Sequence, residues 1–232
     1  MRYVSTRSAA ISADFEQVVL SAIAADGGLF VPVELPRFSP QEIANWSTLA
    51  YDELAWRVIS RFVGEAIPES DLRGLLKAAC SSFSHRSVAP LHQVDRNEWV
   101  LELFHGPTRS SKDFAAQLQA QLVQYFLRKR QRRALVLGAT NGDTGLAAIE
   151  AFEDCEDAEL VLVYPGTGIA PQQWQQLQAV DQPRVHRLVL NGSFDQCQTL
   201  VTEVFRDWPC AEYEAVSFNS SNWVSVLAHL VF

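Results

Sequence analysis

Apolar residues near the N-terminus recur at the spacing of an amphipathic helix. Between residues 15 and 25, the apolar positions that share one helical face are Phe15, Val18, Val19, Ala22 and Ile23. The run Asp26-Gly27-Gly28 ends this pattern, because glycine commonly follows the last turn of a helix. Residues 29–33 then form a short apolar run that stops before Pro36, and we expect it to be extended.

Helical periodicity returns three more times in the first third of the chain. Helices are predicted over Pro40–Asn45, Tyr51–Val63 and Glu69–Ser81, and each is bounded by Pro, Gly or Ser. This part of the sequence has no group of histidines, cysteines or paired carboxylates that would form a catalytic site. We therefore expect residues 1–85 to form a mostly helical N-terminal domain with a packing or substrate-covering role.

From residue 86 onward, short apolar runs alternate with amphipathic segments. Strands are predicted over residues 99–104, 134–137, 160–164 and 185–190, and helices over residues 112–128, 144–152, 171–180 and 194–206. Such alternation is typical of a parallel sheet with crossover helices. The predicted fold class is α/β, with a helical N-terminal domain followed by an open parallel sheet in residues 86–232. Ligands of such sheets bind at the carboxyl ends of the strands.

The last ten residues carry an apolar stripe at helical spacing and no C-capping signal. We expect the chain to stop inside a helix and to leave apolar surface uncovered there. That surface would serve self-association or a partner that completes the sheet.

Composition narrows the classes of function. The formal net charge of −8 argues against a nucleic-acid partner or an anionic membrane surface. The basic run from Arg128 to Arg133 is expected to end a helix and to complement its carbonyl groups. The four cysteines show no metal-binding spacing, so neither a metal site nor a disulfide framework is predicted. Without a signal peptide or a membrane-length apolar run, the expected location is the cytoplasm.

Lys112 stands at the predicted start of a helix, just after a predicted strand. Gly106 and Pro107 break the strand, and Ser110 or Ser111 could cap the helix. A helix N-terminus favours the neutral form of an amine, and Schiff-base chemistry needs a neutral lysine. The structural alternative is that Lys112 is an ordinary solvated charge.

A second motif, Gly138-Ala139-Thr140-Asn141-Gly142-Asp143-Thr144-Gly145, connects a predicted strand to a predicted helix. Small residues let the backbone approach a ligand, while amides and hydroxyls at the helix start can hold an anionic oxygen such as a carboxylate. The motif is neither a P-loop nor a GxGxxG turn, so a nucleotide-binding domain is only weakly supported. The structural alternative is a glycine-rich connection that only packs strand against helix.

Together these motifs resemble the threonine synthases, a family of pyridoxal-phosphate enzymes with the tryptophan-synthase-β fold, also called fold type II. The similar segments, in the order expected for the family, are residues 3–7, 26–32, 102–108 with 112–114, 138–145, 192–198 and 219–223. The family's chains continue well beyond this length, so the resemblance covers their N-terminal half. It implies that the parallel sheet is incomplete and that the glycine-rich phosphate loop and the partner of the pyridine nitrogen are missing.

The resemblance also implies roles for individual residues. Lys112 corresponds to the lysine that forms a Schiff base with pyridoxal 5'-phosphate and shuttles protons. The residues implied beside the cofactor ring are Asn141, Gly142, Asp143 and Thr144, and those implied near the substrate are His105, Thr108, Asn141, Thr144, Asn219, Ser220 and Asn222. The family converts O-phospho-L-homoserine and water to L-threonine and phosphate. The mechanism relies on an electron-withdrawing cofactor ring and a mobile lysine.

Three segments of the sequence, with five residues in all, depart from the usual family pattern. Arg109, Ser110 and Ser111 replace Leu-Ala-Phe, which would make the pocket wetter or add a contact to an anion. Asn141 replaces a serine, and Ser8 replaces a common glycine. These departures and the half-length leave an alternative, which is a non-catalytic relative that binds another ligand or a partner.

Overall fold

The computed structural model describes residues 1–21, 23–220 and 222–232. Ala22, which belongs to the predicted first helix, lies outside the described residues. So does Ser221, which belongs to the last segment of the resemblance.

The N-terminal residues form a small antiparallel sheet. One of its strands lies in the run 29–33 that was predicted to be extended, and the other two are strands that the hydrophobic pattern missed. Its strands are β1 (Tyr3–Ser5), β2 (Ser12–Ala13) and β3 (Phe30–Pro32), in the order β2-β1-β3. Helix α1 (Phe15–Ser21) lies between β2 and β3 in the chain and is shorter than the prediction for residues 15–25.

Three helices complete the first part of the chain, and their bounds agree with the prediction. They are α2 (Pro40–Asn45), α3 (Tyr51–Val63) and α4 (Glu69–Ser81). Ser39 caps α2 through a capping box with Glu42, which satisfies backbone N–H groups at the helix start. The apolar face of α3 is buried because its residues recur every three or four positions.

The predicted strand over residues 99–104 does not belong to the parallel sheet. Instead, β4 (Leu91–Asp95) and β5 (Glu98–Leu101) form an antiparallel hairpin of their own. A two-residue turn at Arg96 and Asn97 brings two neighbouring strands together, and periodicity alone could not reveal this pairing. The prediction that Lys112 follows directly on a strand is therefore wrong, because ten residues separate β5 from the next helix.

The second part of the chain alternates helices and strands as predicted. The elements are α5 (Lys112–Arg130), β6 (Arg133–Ala139), α6 (Asp143–Phe152), β7 (Ala158–Pro165), α7 (Pro171–Ala179), β8 (Val185–Leu190), α8 (Phe194–Arg206) and β9 (Tyr213–Ser217). The sheet is parallel with the order β8-β7-β6-β9, and β9 is a strand that the sequence pattern missed. The chain therefore has the open parallel α/β sheet that was predicted.

One large apolar core joins the two parts of the chain. Tyr3 is fully buried, its hydroxyl donates to the carbonyl of Phe62 at 2.8 Å, and its ring lies 6.3 Å from that of Trp223. This core contains residues from both sides of positions 85 and 86. The domain boundary between these two positions stays a prediction.

The C-terminal stripe is not the exposed surface that the sequence suggested. Helix α9 (Trp223–His229) ends at His229, and Leu230 follows as its C-cap, so the chain does not stop inside a helix. The helix packs against α1, α3 and α5, and its apolar face is buried, while Val226 and Leu230 remain partly exposed. The apolar stripe is thus part of the core, because the helices before it provide the cover.

No helix within the described ranges is long and apolar enough to cross a bilayer.

Gly138 provides a test of the packing between β6 and β9. A Cβ atom there would lie 2.7 Å from the carbonyl oxygen of Phe218, whose N–H bonds to Leu137. We expect Gly138→Ala to lower the free energy of unfolding by roughly 1–3 kcal/mol, because backbone atoms must shift. The measurement is urea denaturation followed by circular dichroism.

Gly74→Ala in α4 is the matched control, because a Cβ atom at that position meets nothing within 4 Å. There the same substitution should be neutral or should stabilise the helix by about 0.5–1 kcal/mol. Equal effects of the two substitutions would contradict this account of the packing.

Candidate functional site

Lys112 is the first residue of α5, as predicted from the sequence. Ser111 occupies the N-cap position but makes no capping bond through its side chain. Instead, the Ser110 hydroxyl accepts the backbone N–H of Lys112 at 3.3 Å. Of the two serines proposed as caps, Ser110 therefore contacts the helix start.

The turn before Lys112 is held by the buried carboxylate of Asp113. One carboxylate oxygen accepts the Thr108 hydroxyl at 2.6 Å, and the other accepts the backbone N–H groups of Thr108 and Ser110 at 3.0 and 3.4 Å. Asp113 is completely inaccessible to solvent. Burial raises the pKa of its carboxyl above the usual value, although the hydrogen bonds from Thr108 and Ser110 oppose that shift.

Gly106 makes room for this carboxylate. A Cβ atom on Gly106 would lie 2.3 Å from a carboxylate oxygen of Asp113. Further along the same turn, Arg109 adopts a positive φ of 60°, which is uncommon for a residue with a side chain. The backbone before Lys112 is thus fixed by one carboxylate, one glycine and one residue in the left-handed region.

Helix α5 connects Lys112 to the carboxyl edge of the parallel sheet. The side-chain amide of Gln119 donates to the carbonyl of Ser217, the last residue of β9, at 2.8 Å. Lys112 precedes Gln119 by seven residues, which is two helical turns or about 10 Å, and the two share a helix face. Since α5 runs opposite to β6, Lys112 lies beyond the edge at which ligands of parallel sheets bind.

The loop between β6 and α6 is organised by Thr140. Its buried hydroxyl accepts the backbone N–H groups of Gly142 at 3.1 Å and Gly145 at 2.8 Å. Asn141 and Asp143 are exposed on this loop, and the Asp143 carboxylate accepts the amide of Gln173 at 2.5 Å. The helix start is therefore preorganised from within, while the side chains of Asn141 and Asp143 face outward.

The segment after β9 carries the remaining candidates. Asn222 is fully buried, and its side-chain oxygen caps α9 by accepting the N–H of Val224 at 2.8 Å. The amide of Asn219 donates to the Ser217 hydroxyl at 2.6 Å. These bonds fix the segment beside the end of β6, because β6 and β9 are neighbouring parallel strands.

Three of the predicted residues share one cavity. Thr144, Asn219 and Ser220 line a space of about 210 Å³ between the ends of β6 and β9 and helix α8. Ile23 and Leu29 from the N-terminal part close another side of it. Lys112, His105 and Thr108 are not in this lining, so the structure separates the candidates into two groups around the same sheet edge.

His105 lies in the segment between β5 and α5, before the turn that precedes Lys112. Its Nε2 atom is 2.7 Å from a carboxylate oxygen of Glu102, and both side chains are largely buried. The structure thus gives His105 and Thr108 partners within the loop itself.

Sequence reasoning missed the organising roles of Asp113, Gln119 and Thr140. Gln119 is fully buried, but it is one of four glutamines in α5, with Gln117, Gln121 and Gln124, so the sequence did not single it out. The side chains that orient the candidates are not the ones that the motifs emphasised. No cluster of three metal-ligating side chains occurs among the residues described.

Comparison with known proteins identifies the fold type. A family model described as "Threonine synthase N terminus" matches residues 2–80. A crystal structure of pyridoxal-phosphate-bound threonine synthase from Brucella melitensis superposes with a TM-score of 0.89 at 40% identity, and it covers 100% of this chain and 50% of that one. A yeast threonine synthase structure gives a TM-score of 0.88 at 35% identity, with 99% and 48% coverage. The chain therefore has the α/β fold of the pyridoxal-phosphate-dependent type II enzymes.

The sequence comparison specifies the family within that class. Threonine synthase from Pseudomonas aeruginosa is 42% identical over 233 residues, which cover 100% of this chain and 50% of the relative. The chain corresponds in sequence and in fold to the N-terminal half of the threonine synthases, which confirms the resemblance. It spans about half the length of the curated relatives that it matches.

Asp113→Ala tests the turn that precedes Lys112. Without the carboxylate, the N–H groups of Thr108 and Ser110 lose their acceptor, and a buried polar group without a partner is costly. We expect the free energy of unfolding to fall by roughly 2–4 kcal/mol in urea denaturation. The exposed Asp181→Ala is the control and should change it by less than about 0.5 kcal/mol.

Asp113→Asn tests the raised pKa. A carboxyl whose folded-state pKa is raised contributes stability below its unfolded pKa, and that contribution is lost as pH rises through the folded pKa. The stability of the wild type relative to Asp113→Asn should therefore decrease as pH is raised from about 4. A constant difference would show that folding leaves this pKa unchanged, and a difference that increases with pH would show that the carboxylate form is favoured.

Proposed function

We propose that the chain supplies the lysine-bearing half of a pyridoxal-phosphate enzyme that converts O-phospho-L-homoserine and water to L-threonine and phosphate. The observation that carries this proposal is Lys112 at the first position of α5, within a match to threonine synthases that covers the whole chain. Because the chain spans half of these relatives, the activity is proposed for the site as a whole, and these residues are only part of it.

The residues present suit such a cofactor. Lys112 is half-buried, and its turn is fixed by Asp113 and Gly106. Among the described residues, Gln119 Oε1 and Asn222 Nδ2 are buried atoms without a hydrogen-bond partner. Buried atoms of this kind are expected where a polar ligand or an ordered water completes a site. The fit supports Lys112, Asn141, Gly142, Asp143 and Thr144 as the residues that would hold pyridoxal 5'-phosphate.

When bound, pyridoxal 5'-phosphate supplies an electron sink for charge that develops on the substrate carbons. The Nζ atom of Lys112 would anchor the cofactor and, once released, would take and return protons on neighbouring carbon atoms. Both tasks need an amine that is held near the substrate and still moves. A fixed backbone at the base of a flexible four-carbon side chain meets that need.

The start of α6 would bind the substrate carboxylate. The N–H of Gly145 is already bonded to the Thr140 hydroxyl, so the N–H groups of Asp143 and Thr144 would hold the anion, which the helix dipole favours there. Thr144, Asn219 and Ser220 add polar groups around the cavity at the same edge. We assign the substrate to this cavity and to the adjoining residues Asn141 and Asn222.

His105 and Thr108 would act through the turn. Thr108 bonds to Asp113, and His105 bonds to Glu102. Each bond would hold the backbone that precedes Lys112 in place. Arg109 is exposed and brings a cation within three residues of Lys112, where it would attract the phosphate of the substrate.

Reductive trapping tests Lys112 as the anchor. The protein has three lysines, Lys77, Lys112 and Lys129, so the attachment point can be identified without ambiguity. After incubation with pyridoxal phosphate and reduction with borohydride, we expect the cofactor mass on the peptide that contains Lys112. Lys112→Ala should abolish both this adduct and the visible absorption band. Trapping detects the cofactor even if these 232 residues by themselves retain it weakly, as we expect.

Lys77→Ala is the matched control, because Lys77 is exposed on α4. Its band and adduct should equal those of the wild type. Labelling of Lys77 or Lys129 in place of Lys112, or an unchanged spectrum of Lys112→Ala, would overturn the assignment of Lys112.

The alternative is a non-catalytic binding or interaction protein on the same scaffold. The unusual Arg109-Ser110-Ser111 run favours it. Phosphate release from O-phospho-L-homoserine that depends on Lys112 would eliminate this alternative. Cofactor trapping on Lys112 without turnover, also in the presence of the C-terminal half of a threonine synthase, would support it.

A further inference from the structure

A cavity of about 370 Å³ lies between α2 and α3, away from the cavity beside Thr144. Its volume falls within the range of small-molecule sites, which is roughly 300–1,000 Å³. The residues of its lining that matter below are Glu42 of α2, Trp46 and Leu49 of the following turn, and Trp56, Arg57 and Arg61 of α3. Aromatic rings and arginines thus surround one space.

The Trp56 wall of this cavity is held by charged neighbours. The Arg73 guanidinium lies 3.6 Å from the centroid of the Trp56 ring, and that of Arg57 lies 4.9 Å from it. The Glu53 carboxylate accepts from Arg73 and from Nε of Arg57, the latter at 3.2 Å, and so connects the two cations. A ligand that binds here would find this wall already ordered, which lowers the entropy cost of binding.

The lining contains hydrogen-bond donors that still need acceptors. Trp56 Nε1 is buried and has no hydrogen-bond partner among the described residues, and an indole N–H can only donate. Within the same part of the chain, Arg57 and Arg61 each form one ion pair through a single nitrogen, with Glu53 and Glu42 respectively. Since a guanidinium has five donors and no acceptor, both arginines can also donate to a ligand.

The carboxylate of Glu42 offers these donors little more. One of its oxygens accepts Nη2 of Arg61 at 3.2 Å, and the other accepts the backbone N–H and the hydroxyl of Ser39 at 2.8 and 2.9 Å. The hydrogen bonds from Ser39 and the charge of Arg61 hold the pKa of Glu42 below its usual value. The cavity therefore favours a ligand that accepts hydrogen bonds and carries negative charge.

An apolar wall adds a second requirement. Trp46 and Leu49 are half-buried and line the same cavity. The Trp46 ring is in edge contact with that of Phe38, with 5.1 Å between the centroids, so its position is fixed. A flat apolar group would pack against this ring, and an anionic group would bind the arginines.

We propose that the cavity between α2 and α3 binds an aromatic carboxylate. The carboxylate would accept hydrogen bonds from Arg57, Arg61 and Trp56 Nε1, and the aromatic ring would pack against Trp46 and Leu49. This site is distinct from the one at the edge of the parallel sheet and needs no pyridoxal phosphate.

The test is isothermal titration calorimetry of the 232-residue chain with three ligands. Benzoate should bind at one site with a Kd of about 1 mM or tighter. Benzamide has the ring without the charge and acetate has the charge without the ring, so each should bind at least about tenfold more weakly. The proposal is overturned if benzoate shows no saturable binding, or if benzamide or acetate binds as tightly as benzoate.

Substitutions of opposite expected effect assign the binding to this cavity. Arg57→Gln and Arg61→Gln should each weaken benzoate binding about tenfold, and Trp56→Phe should weaken it by removing the N–H. Glu42→Gln should instead tighten it about two- to fivefold, because the negative charge of the lining is lost. Glutamine can replace glutamate in the capping box, so α2 keeps its cap.

Two substitutions outside the cavity are the matched controls. Arg206 is an exposed arginine that is paired with Asp207 at 3.5 Å, and Trp99 is an exposed tryptophan of β5. Arg206→Gln and Trp99→Phe should bind benzoate like the wild type, and thermal melts should show that every variant is folded. Wild-type affinity of both arginine variants, or weaker binding by Glu42→Gln, would contradict the proposal. Because no pyridoxal phosphate is added, the result is independent of Lys112.

Discussion

Burial of α5 on nearly all sides is the constraint on which the arrangement of this protein depends. Eight consecutive residues, from Asp113 to Ala120, are inaccessible or nearly so, because α1, α4, α6 and α9 surround the helix. A helix enclosed in this way cannot rotate or shift without disturbing packing in both parts of the chain. Lys112 is therefore presented from the most constrained element of the structure, at its open end.

Polar groups inside this packing lie close to the candidate site. The Asp113 carboxylate, the Gln119 amide and the Asn222 amide are buried completely, and each fixes a backbone segment that carries candidate residues. Burying such groups is costly unless they are bonded, so their presence indicates a requirement for precise geometry. These buried polar groups lie along one edge of the sheet, where ligands of parallel sheets bind.

Two apolar segments have no obvious packing partner in the sequence, and the structure buries one of them and leaves the other exposed. Helix α9 is covered by earlier helices, and the ring of Phe232 lies 4.8 Å from that of Phe114. The hairpin of β4 and β5 projects from its base and stays exposed. Hydrophobicity alone does not distinguish them, because exposure depends on which surfaces the rest of the chain can reach.

The sequence by itself determined most of the helices and strands and the order of the motifs that carry the candidate site residues. Periodicity predicted α2, α3, α4, β8 and α8 with the observed bounds, since local spacing and capping residues specify helix ends. The ordered motifs around Lys112 and Gly142 indicated the resemblance to the threonine synthases. Tertiary structure alone decided the pairing of β4 with β5, the position of β9 and the burial of α9. It also decided that Asp113 and Gln119 organise the candidate site. Most of these features depend on contacts between residues far apart in the chain, such as Tyr3 with Trp223 and Gln119 with Ser217, and no local pattern records such contacts.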